Sequence, residues 1–434
     1  MIKALNNKLD SSRPELARLD RYWTGTQPAA YLAPESRKAL SGRLRMLAVN
    51  YPRLIVEALA ERLEVAGFRV DDEPQAELWA EWQRLGMTEL AQQAHYDALI
   101  YGRSFAVVWA DSRGRPLVTI ETPQQVAVLR DPATRQVTAA LKRWTDGSKG
   151  HAILYLPDRI TRLSTLANVT DPAAIPSTGW HATETLGNPL GRVPVVPIVN
   201  RGRLMEADGH SEMHDVLDLA DALNKLMADL LVTSEFYARP RRWATGLEIM
   251  EDADGQPVKP FSAALDDIWQ SEDPDTKFGQ FDAARLDGYT DAAALITQQI
   301  GALTGLPPHY LGLHGDQPAS ADAIRSSEAS LVARCTALQR AFGRAWAEVA
   351  TMMLDIMRGT DTDGRVETIW ASAETRTPAQ QADAAAKLVA IGLPLEVALT
   401  DVMGYSPADI ERVRTARRGA ALDTAGLNLR ELEL

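Results

Sequence analysis

The spacing of apolar residues predicts one long amphipathic helix in the last third of the chain. From Ile324 to Met357 apolar side chains recur at intervals of three, four and seven residues, which places them on one face of a helix. Ser320 is a suitable N-cap, and Asp322 stands in the first turn, where the helix dipole favours an acidic side chain. Unbroken, such a helix would extend about 55 Å at 1.5 Å per residue.

The period changes after Gly102, where short β-branched runs replace the helical spacing. Runs such as SFAVVWA, PLVTIE and HAILYLP are separated by turn sequences such as DSRGRP and DPATR. This pattern predicts mostly antiparallel strands between about residues 103 and 200. The run NPLGRVPVVPIVNRGR holds three prolines, and because proline cannot donate to a neighbouring strand, this run is expected at a sheet edge or in an extended crossing.

Helical spacing dominates before this region. One short helix is predicted from Arg13 to Trp23, with Pro14 in its first turn. A second covers RLIVEALAERLEV, where Arg62 stands within an otherwise apolar stripe and Gly67 should end the helix. Two more follow in AELWAEWQRLG and TELAQQAHYDALIYG.

Helical spacing returns at Ser211 and continues to about Phe236. Acidic, turn-rich sequence from Arg239 to Ala284 predicts an irregular section. The run DAAALITQQIGALTG then predicts a helix that Pro307 and Pro308 stop. The last 60 residues or so form a further helical block, including PAQQADAAAKLVAIG and SPADIERVRTARRGAA.

Composition limits the class of protein. A chain of 434 residues with 45% hydrophobic and 24% charged residues can bury a large core and is expected to form two to four structural regions. The formal net charge of -12 argues against tight DNA binding. Cys335 is the only cysteine, which excludes an intrachain disulfide and fits a reducing cytoplasm. Neither a signal peptide nor an apolar run of bilayer length is expected.

The segment HSEMH, from His210 to His214, is the strongest signal for enzymatic chemistry. Two histidines four residues apart share one face of a helix and can bind a metal. The metalloprotease pattern needs the glutamate directly after the first histidine, whereas here Glu212 is in the middle and a third ligand is unassigned. Two polar residues at the start of a helix explain the segment more simply.

Other catalytic motifs do not occur. The sequence contains no P-loop, no G-x-S-x-G and no G-x-G-x-x-G, so we expect neither ATP hydrolysis nor a bound cofactor. One basic cluster with an aromatic residue, formed by Arg239, Arg241, Arg242 and Trp243, combines groups that grip phosphate and stack on a base. A contact with acidic loops of another subunit is the more common role for such a cluster.

Several longer stretches together resemble the portal proteins of long-tailed double-stranded DNA bacteriophages, especially those that infect actinobacteria. They are RLDRYWTGTQPAAYLAPE, RLRMLAVNYPRLIVEALAERLEVAGFR, SEMHDVLDLADALNKLMADLLVTSEFYARPRRWATG, TGLPPHYLGLHGDQPASADAIRSSEASL and QRAFGRAWAEVATMML. The resemblance covers nearly the whole chain in the expected order. It is specific as a set, although no single stretch is a catalytic signature.

The resemblance implies a portal fold that is α+β but mainly α, with an α/β wing, long stem and tunnel helices, a small clip and a helical crown. It also implies a non-enzymatic homo-oligomer, usually a ring of twelve, at the portal vertex of the virion capsid, assembled in the host cytoplasm. Double-stranded DNA would pass through the channel without sequence specificity during packaging and ejection. The implied partners are the terminase large subunit, the major capsid and scaffolding proteins and a head-tail adaptor, without a membrane.

Mapped onto this sequence, the family's parts follow one another along the chain. They are the wing (1–205), stem helix 1 (206–238), clip (239–285), stem helix 2 (286–305), tunnel loop (306–320), tunnel helix with return to the wing (321–374) and crown (375–434). The loop residues expected at the DNA channel are Leu313, His314, Gly315, Asp316, Gln317 and Ser320. The basic cluster Arg239, Arg241, Arg242 and Trp243 is expected at the clip or at a subunit interface.

Two alternatives remain open at this point. The first is another phage head structural or morphogenesis protein that shares only some of the helical parts. The second is a metal-dependent hydrolase that uses His210 and His214.

Overall fold

Helices account for most of the chain in the computed structural model, which describes residues 1–28, 48–166, 168–169, 175–176, 178–237, 242–246, 274–280, 286–313, 321–374, 378–405 and 407–432. The α-helices are α1 (Ile2–Thr24), α2 (Tyr51–Ala60), α3 (Ala76–Arg84), α4 (Met87–Tyr101), α5 (Leu217–Tyr237), α6 (Asp287–Thr304), α7 (Ala321–Arg358), α8 (Pro378–Ala390), α9 (Leu395–Asp401) and α10 (Pro407–Leu432). Short 3-10 helices cover His214–Val216 and Pro308–Leu311.

The strands are shorter and lie mostly in the first half of the chain. They are β1 (Val65–Val70), β2 (Glu73–Pro74), β3 (Arg103–Ala110), β4 (Pro116–Glu121), β5 (Val126–Arg130), β6 (Val137–Asp146), β7 (Lys149–Tyr155), β8 (Arg159–Thr165), β9 (Trp180–Gly187), β10 (Val195–Val199), β11 (Arg242–Thr245), β12 (Lys277–Gln280) and β13 (Val366–Trp370). The structure is 50% helical and 22% strand, which confirms the predicted α+β, mainly α class.

The chain forms two compact units. The first contains the described residues of Met1–Gln27, Asn50–Leu217 and Thr304–Leu434, and the second contains those of Pro28–Val49 and Asp218–Leu303. In the part of the chain that the structure describes, no helix combines the length and the apolarity of a bilayer-spanning segment.

The first helix is longer than its sequence predicts, and Pro14 lies inside it rather than in its first turn. The Ser11 and Ser12 hydroxyls donate to carbonyls within the helix, 3.0 and 3.1 Å away, so neither caps its start. An internal proline costs about 3 kcal/mol because it removes a helical hydrogen bond. The buried stripe continues on both sides of Pro14, and its burial outweighs this cost: Leu5, Leu9, Leu16, Leu19 and Tyr22.

The predicted β region forms two antiparallel sheets in the first unit. One has five strands in the order β5-β6-β7-β8-β9, and the other has the order β10-β3-β4. Pro197 lies in β10, which pairs with β3 and is at the sheet edge among the described strands. This position confirms the edge that the three prolines predict.

The five-stranded sheet buries both of its faces. Along β6, Ala139 and Leu141 pack with Leu5 and Leu9 of α1, while Ala140 packs on the opposite face with Phe105 and its neighbours. This alternation follows from the two-residue period of a strand. The N-terminal helix is therefore part of the sheet's core.

The predicted extension of the second helix towards Gly67 is wrong. α2 ends at Ala60, and Val65–Val70 is strand β1, which pairs with β13. Phe68, for example, lies opposite Thr368. Local periodicity could not show this pairing because the partner strand lies some 300 residues further along the chain.

The long helix α7 has 38 residues, close to the predicted length. Its apolar side packs on an aromatic core that holds one buried histidine. Trp346 Nε1 donates to His95 Nε2 at 2.8 Å, and the rings of Phe342 and Trp370 lie 5.3 and 5.6 Å from the imidazole. His95 is fully buried, and burial lowers its pKa to about 3. The core therefore requires a neutral imidazole.

His95 should make the protein sensitive to mild acid. The unfolded chain binds a proton at His95 below about pH 6.5, whereas the folded chain does not until about pH 3, so stability falls as pH falls through this window. By pH 5.5 this amounts to about 1.4 kcal/mol. We expect His95→Gln to weaken the protein at pH 7.5 but to remove that part of the acid loss, measured by urea unfolding at both pH values. His181→Gln, the same change at an exposed position, should keep the wild-type dependence; a dependence unchanged in His95→Gln would contradict the assignment.

Candidate functional site: the root of the 306–320 loop and the segment before α5

The chain turns sharply where α6 ends. Gly305 adopts the left-handed conformation, with φ +68°, and a Cβ there would lie 2.5 Å from Ser330 Oγ. Pro307 is extended, and a 3-10 turn of four residues begins at Pro308. Gly305 therefore ends the helix, and the two prolines, predicted to stop it, set the path of the chain beyond that end.

A buried ion pair holds this turn. Arg62, from the segment after α2, donates to Tyr310 Oη at 2.9 Å, to Glu328 Oε1 of α7 at 3.2 Å and to the carbonyl of Ala373 at 2.8 Å. The side chains of Arg62 and Glu328 are only 11% and 9% exposed. Burial alone would lower the pKa of Arg62, but the contacts with Tyr310 and Glu328 outweigh it and raise that pKa. The guanidinium therefore stays charged and joins three segments of the first unit.

Of the loop residues predicted at the DNA channel, one lies in the described part of the chain. The Leu313 amide donates to the Pro308 carbonyl at 3.0 Å, so this residue still belongs to the root of the loop. Tyr51 Oη donates to the Leu311 carbonyl at 3.3 Å and adds a tie to α2. The other predicted loop residues lie outside the described residues: His314, Gly315, Asp316, Gln317 and Ser320.

A second rigid point lies just before α5. Asn200, fully buried, donates its amide to the Gly102 carbonyl at 2.8 Å and its side-chain amide to the His210 carbonyl at 2.8 Å. The His210 amide donates back to the Asn200 carbonyl at 3.0 Å. Gly209, with φ +72°, fits between these groups, since a Cβ there would lie 2.3 Å from the Asn200 oxygen and 2.4 Å from the Gly102 oxygen. The 201–209 loop is thus closed at its base.

Glu212, the middle residue of HSEMH, is a buried structural group. Its amide donates to the Leu99 carbonyl at 2.8 Å, and its carboxylate lies 2.6 Å from Arg201 Nη2. Burial raises the pKa of the Glu212 carboxyl, and the charges of Arg201 and Arg334 oppose that rise. Arg201 also reaches Asp215, with 3.4 Å between nitrogen and oxygen. These contacts fix the residues that lead into α5.

This geometry does not support the metal site considered at His210 and His214. The helical register predicted from Ser211 is absent, because a 3-10 turn begins at His214 and α5 only at Leu217. The two imidazole rings are 6.2 Å apart, and His210 Nε2 instead contacts the Glu206 carboxylate. Within the described residues, no group of three or more His, Cys, Asp or Glu side chains is arranged to hold a metal ion.

The predicted basic cluster is only partly described. Arg239 and Arg241 lie outside the described residues, and Arg242 begins β11. Trp243 lies opposite Gly279 of β12, whose missing side chain leaves room for the indole, since a Cβ there would lie 2.4 Å from the ring. Phe278, paired with Ala244, lies on the other face of this two-stranded ribbon. Trp243 and Phe278 are 38% and 43% exposed, so each face of the ribbon presents an aromatic ring.

Comparison with known proteins decides the family. The model of the family described as "Phage portal protein, SPP1 Gp6-like" matches residues 2–420. The chain belongs to this phage portal family. Because the match runs through nearly the whole chain, the alternative of another head protein that shares only some helices is excluded.

Named portal proteins support this membership. The chain is 36% identical over 387 residues to the portal proteins of Mycobacterium phages L5 and D29, which covers 84% of this chain and 78% of each relative. Among solved structures, a chain of the virion of a native gene transfer agent particle matches with 16% identity and a TM-score of 0.49, over 91% of this chain and 94% of that one. The predicted resemblance to actinobacteriophage portal proteins is confirmed.

The residues that hold this portal chain at the loop root and before α5 were not among those chosen from the sequence. One signal for them was present, since Arg62 stands within an apolar helical stripe, and a charge on a buried face requires a partner. The partner, Glu328, could not be identified, because it lies 266 residues away. Gly209 and Asn200 carried no local pattern that predicts their contact.

Proposed function

We propose that this portal protein assembles into a homo-oligomeric ring, with twelve copies expected, that forms the DNA channel at the portal vertex of the virion. Its role is structural rather than catalytic. Double-stranded DNA would pass through the ring during packaging and ejection, held by weak contacts that do not depend on sequence. Membership of the portal family supports this proposal, and one structural observation carries it further.

That observation is the exposure of two largely apolar helices in the second unit. In α5, every apolar residue from Leu226 to Val232 is only partly covered or exposed. Along α6, Leu295 and Leu303 are 58% and 47% exposed, and no charged residue follows Asp291. A helix that is apolar on most of its circumference is normally buried. Neighbouring copies of the chain are the occupants that a ring supplies.

The parts of the portal map onto the chain as follows. The 1–205 region is proposed as the wing, which would contact the major capsid and scaffolding proteins. The 239–285 region, with its two-stranded ribbon, is proposed as the clip, where the terminase large subunit and then a head-tail adaptor would dock. The 306–320 region is proposed as the tunnel loop at the DNA, and 375–434 as the crown. Assembly in the host cytoplasm completes the proposal.

The stem interface is testable by charge insertion. Leu226 and Leu230 are one helical turn apart on α5. We expect the double variant Leu226→Asp/Leu230→Asp to reduce the ring fraction at least tenfold in sedimentation velocity, because carboxylates would be buried between copies without partners. Leu186→Asp, at a 40% exposed apolar position on β9, is the control and should assemble normally. Intact rings in the double variant would show that these residues are not at a subunit interface.

A further inference from the structure

The 201–209 loop presents two large apolar side chains to solvent. Leu204 is 77% exposed and Met205 is 95% exposed, and they are adjacent at the tip of a turn. Single exposed apolar residues are common on protein surfaces, but a pair at the tip of a projecting turn is a typical contact point for another protein. We call residues 203–206 the apolar turn.

The apolar turn is held in place rather than loosely attached. The amides of Arg203 and Glu206 donate to each other's carbonyls, at 3.2 and 3.1 Å. Glu206 contacts His210, and Lys8 Nζ of α1 donates to Asp208 Oδ1 at 2.9 Å. Asn200 closes the base of the loop. Little ordering is needed for this turn to bind a partner, which favours a role as a preformed contact.

A groove that suits such a turn lies elsewhere in the same unit. It has a volume of about 520 Å³, and Leu63, Val65, Ala91 and the ring of Tyr96 form much of its floor. This volume is within the range of roughly 300–1,000 Å³ that is usual for concave binding sites.

Glutamates surround the entrance of this groove. Glu61, Glu64 and Glu89 line it, and all three are exposed. None of them makes an ion pair with another residue that the structure describes. A cation beside an apolar group would complement this acidic rim. The apolar turn offers that combination, since Arg203 is 74% exposed next to Leu204.

The turn and the groove lie near opposite ends of α4. The loop base is bonded to Leu99 and Gly102 at the C-terminal end, whereas the groove is lined by Thr88 to Tyr96. Thr88 and Gly102 are fourteen residues apart, which is about 20 Å along a helix. The exposure of Met205 shows that a chain's own turn does not occupy its own groove. The contact must therefore join two different copies.

We propose that the apolar turn of one copy inserts into the glutamate-rimmed groove of the next copy in the ring. The two surfaces are different, so the contact is head-to-tail, and repetition of such a contact closes into a ring when the rotation allows it. Leu204 and Met205 contact the apolar floor, and Arg203 contacts the glutamates. This inference rests on the proposed ring and names one of its subunit contacts.

Cysteine cross-linking tests this contact directly. In a Cys335→Ala background, which removes the only native thiol, Met205→Cys is combined with Gln93→Cys at an exposed position lining the groove. Mild oxidation of assembled rings should give covalent multimers in steps of one chain, reversed by a reductant. Leu166→Cys with Gln93→Cys is the matched control, because Leu166 is also exposed, at 71%, but is not on the turn. It should remain monomeric on a denaturing gel.

Charge insertion gives an independent result. Leu204→Asp/Met205→Asp should reduce the ring fraction at least tenfold, while Leu166→Asp should not change it. If rings form, the multimer ladder is absent and the double variant still assembles, the proposed contact is wrong and the portal assignment stands. If the wild-type chain forms no rings under any condition, the proposed function fails instead. A double variant that does not fold leaves the cross-linking result to decide.

Discussion

Gly209→Ala is expected to lower the free energy of unfolding by at least about 3 kcal/mol. Two costs combine at this position. An alanine with φ +72° adopts the left-handed conformation at about 1–2 kcal/mol. Its Cβ would also lie 2.3 and 2.4 Å from two backbone oxygens, which cannot both retreat without breaking the hydrogen bonds that Asn200 makes. Urea unfolding and the yield of soluble protein measure the effect.

Gly191→Ala is a matched control for this substitution. Gly191 also has a positive φ, +63°, but a Cβ there would meet no atom within 4 Å. Its cost should be the backbone cost alone, about 1–2 kcal/mol. Equal losses in the two variants would show that the close packing of Gly209 against Asn200 and Gly102 does not hold in solution.

Arg62→Met is expected to cost about 3–5 kcal/mol, since it leaves the Glu328 carboxylate buried without its charged partner. The double variant Arg62→Met/Glu328→Leu should recover a large part of this loss because it removes the orphaned charge. Recovery will not be complete, as the Ala373 carbonyl and Tyr310 hydroxyl also lose their donor. A coupling of about 2 kcal/mol or more in this double-mutant cycle is the expected result.

An exposed ion pair serves as the control for that cycle. Arg162 and Glu184 bridge β8 and β9 at 2.9 Å, with side chains 62% and 44% exposed. Arg162→Met should cost less than about 1 kcal/mol, because solvent already screens this pair. The role given to the loop root is contradicted if Arg62→Met is as mild as Arg162→Met.

Much of the secondary structure could be predicted from the sequence because it follows from local periodicity. The long helix α7 and the antiparallel region after Gly102 have regular spacings of helix and strand. The edge position of β10 follows from its prolines, since the chemistry of proline is also local. Where a local rule competed with tertiary packing, packing won, as at Pro14 inside α1 and at β1, which pairs with a distant strand.

The candidate site was less predictable for a related reason. Arg62 marks itself as unusual within an apolar stripe, but the sequence does not reveal which acidic residue meets it among 58. In HSEMH, the histidines drew attention through their spacing, whereas the structure buries the glutamate between them and leaves His214 exposed. The close approach of Gly209 to two carbonyl groups depends on three segments that meet only in the folded chain.

Assembly of the purified, full-length wild-type chain is the most direct test of the central claim. Electron microscopy of negatively stained particles should show closed rings with a central hole, of one or several symmetries. Their masses, measured on the same sample, should be whole multiples of the 47.5 kDa chain. A uniform monomer across the conditions tested, without rings, would contradict the proposal that this protein forms a channel for DNA.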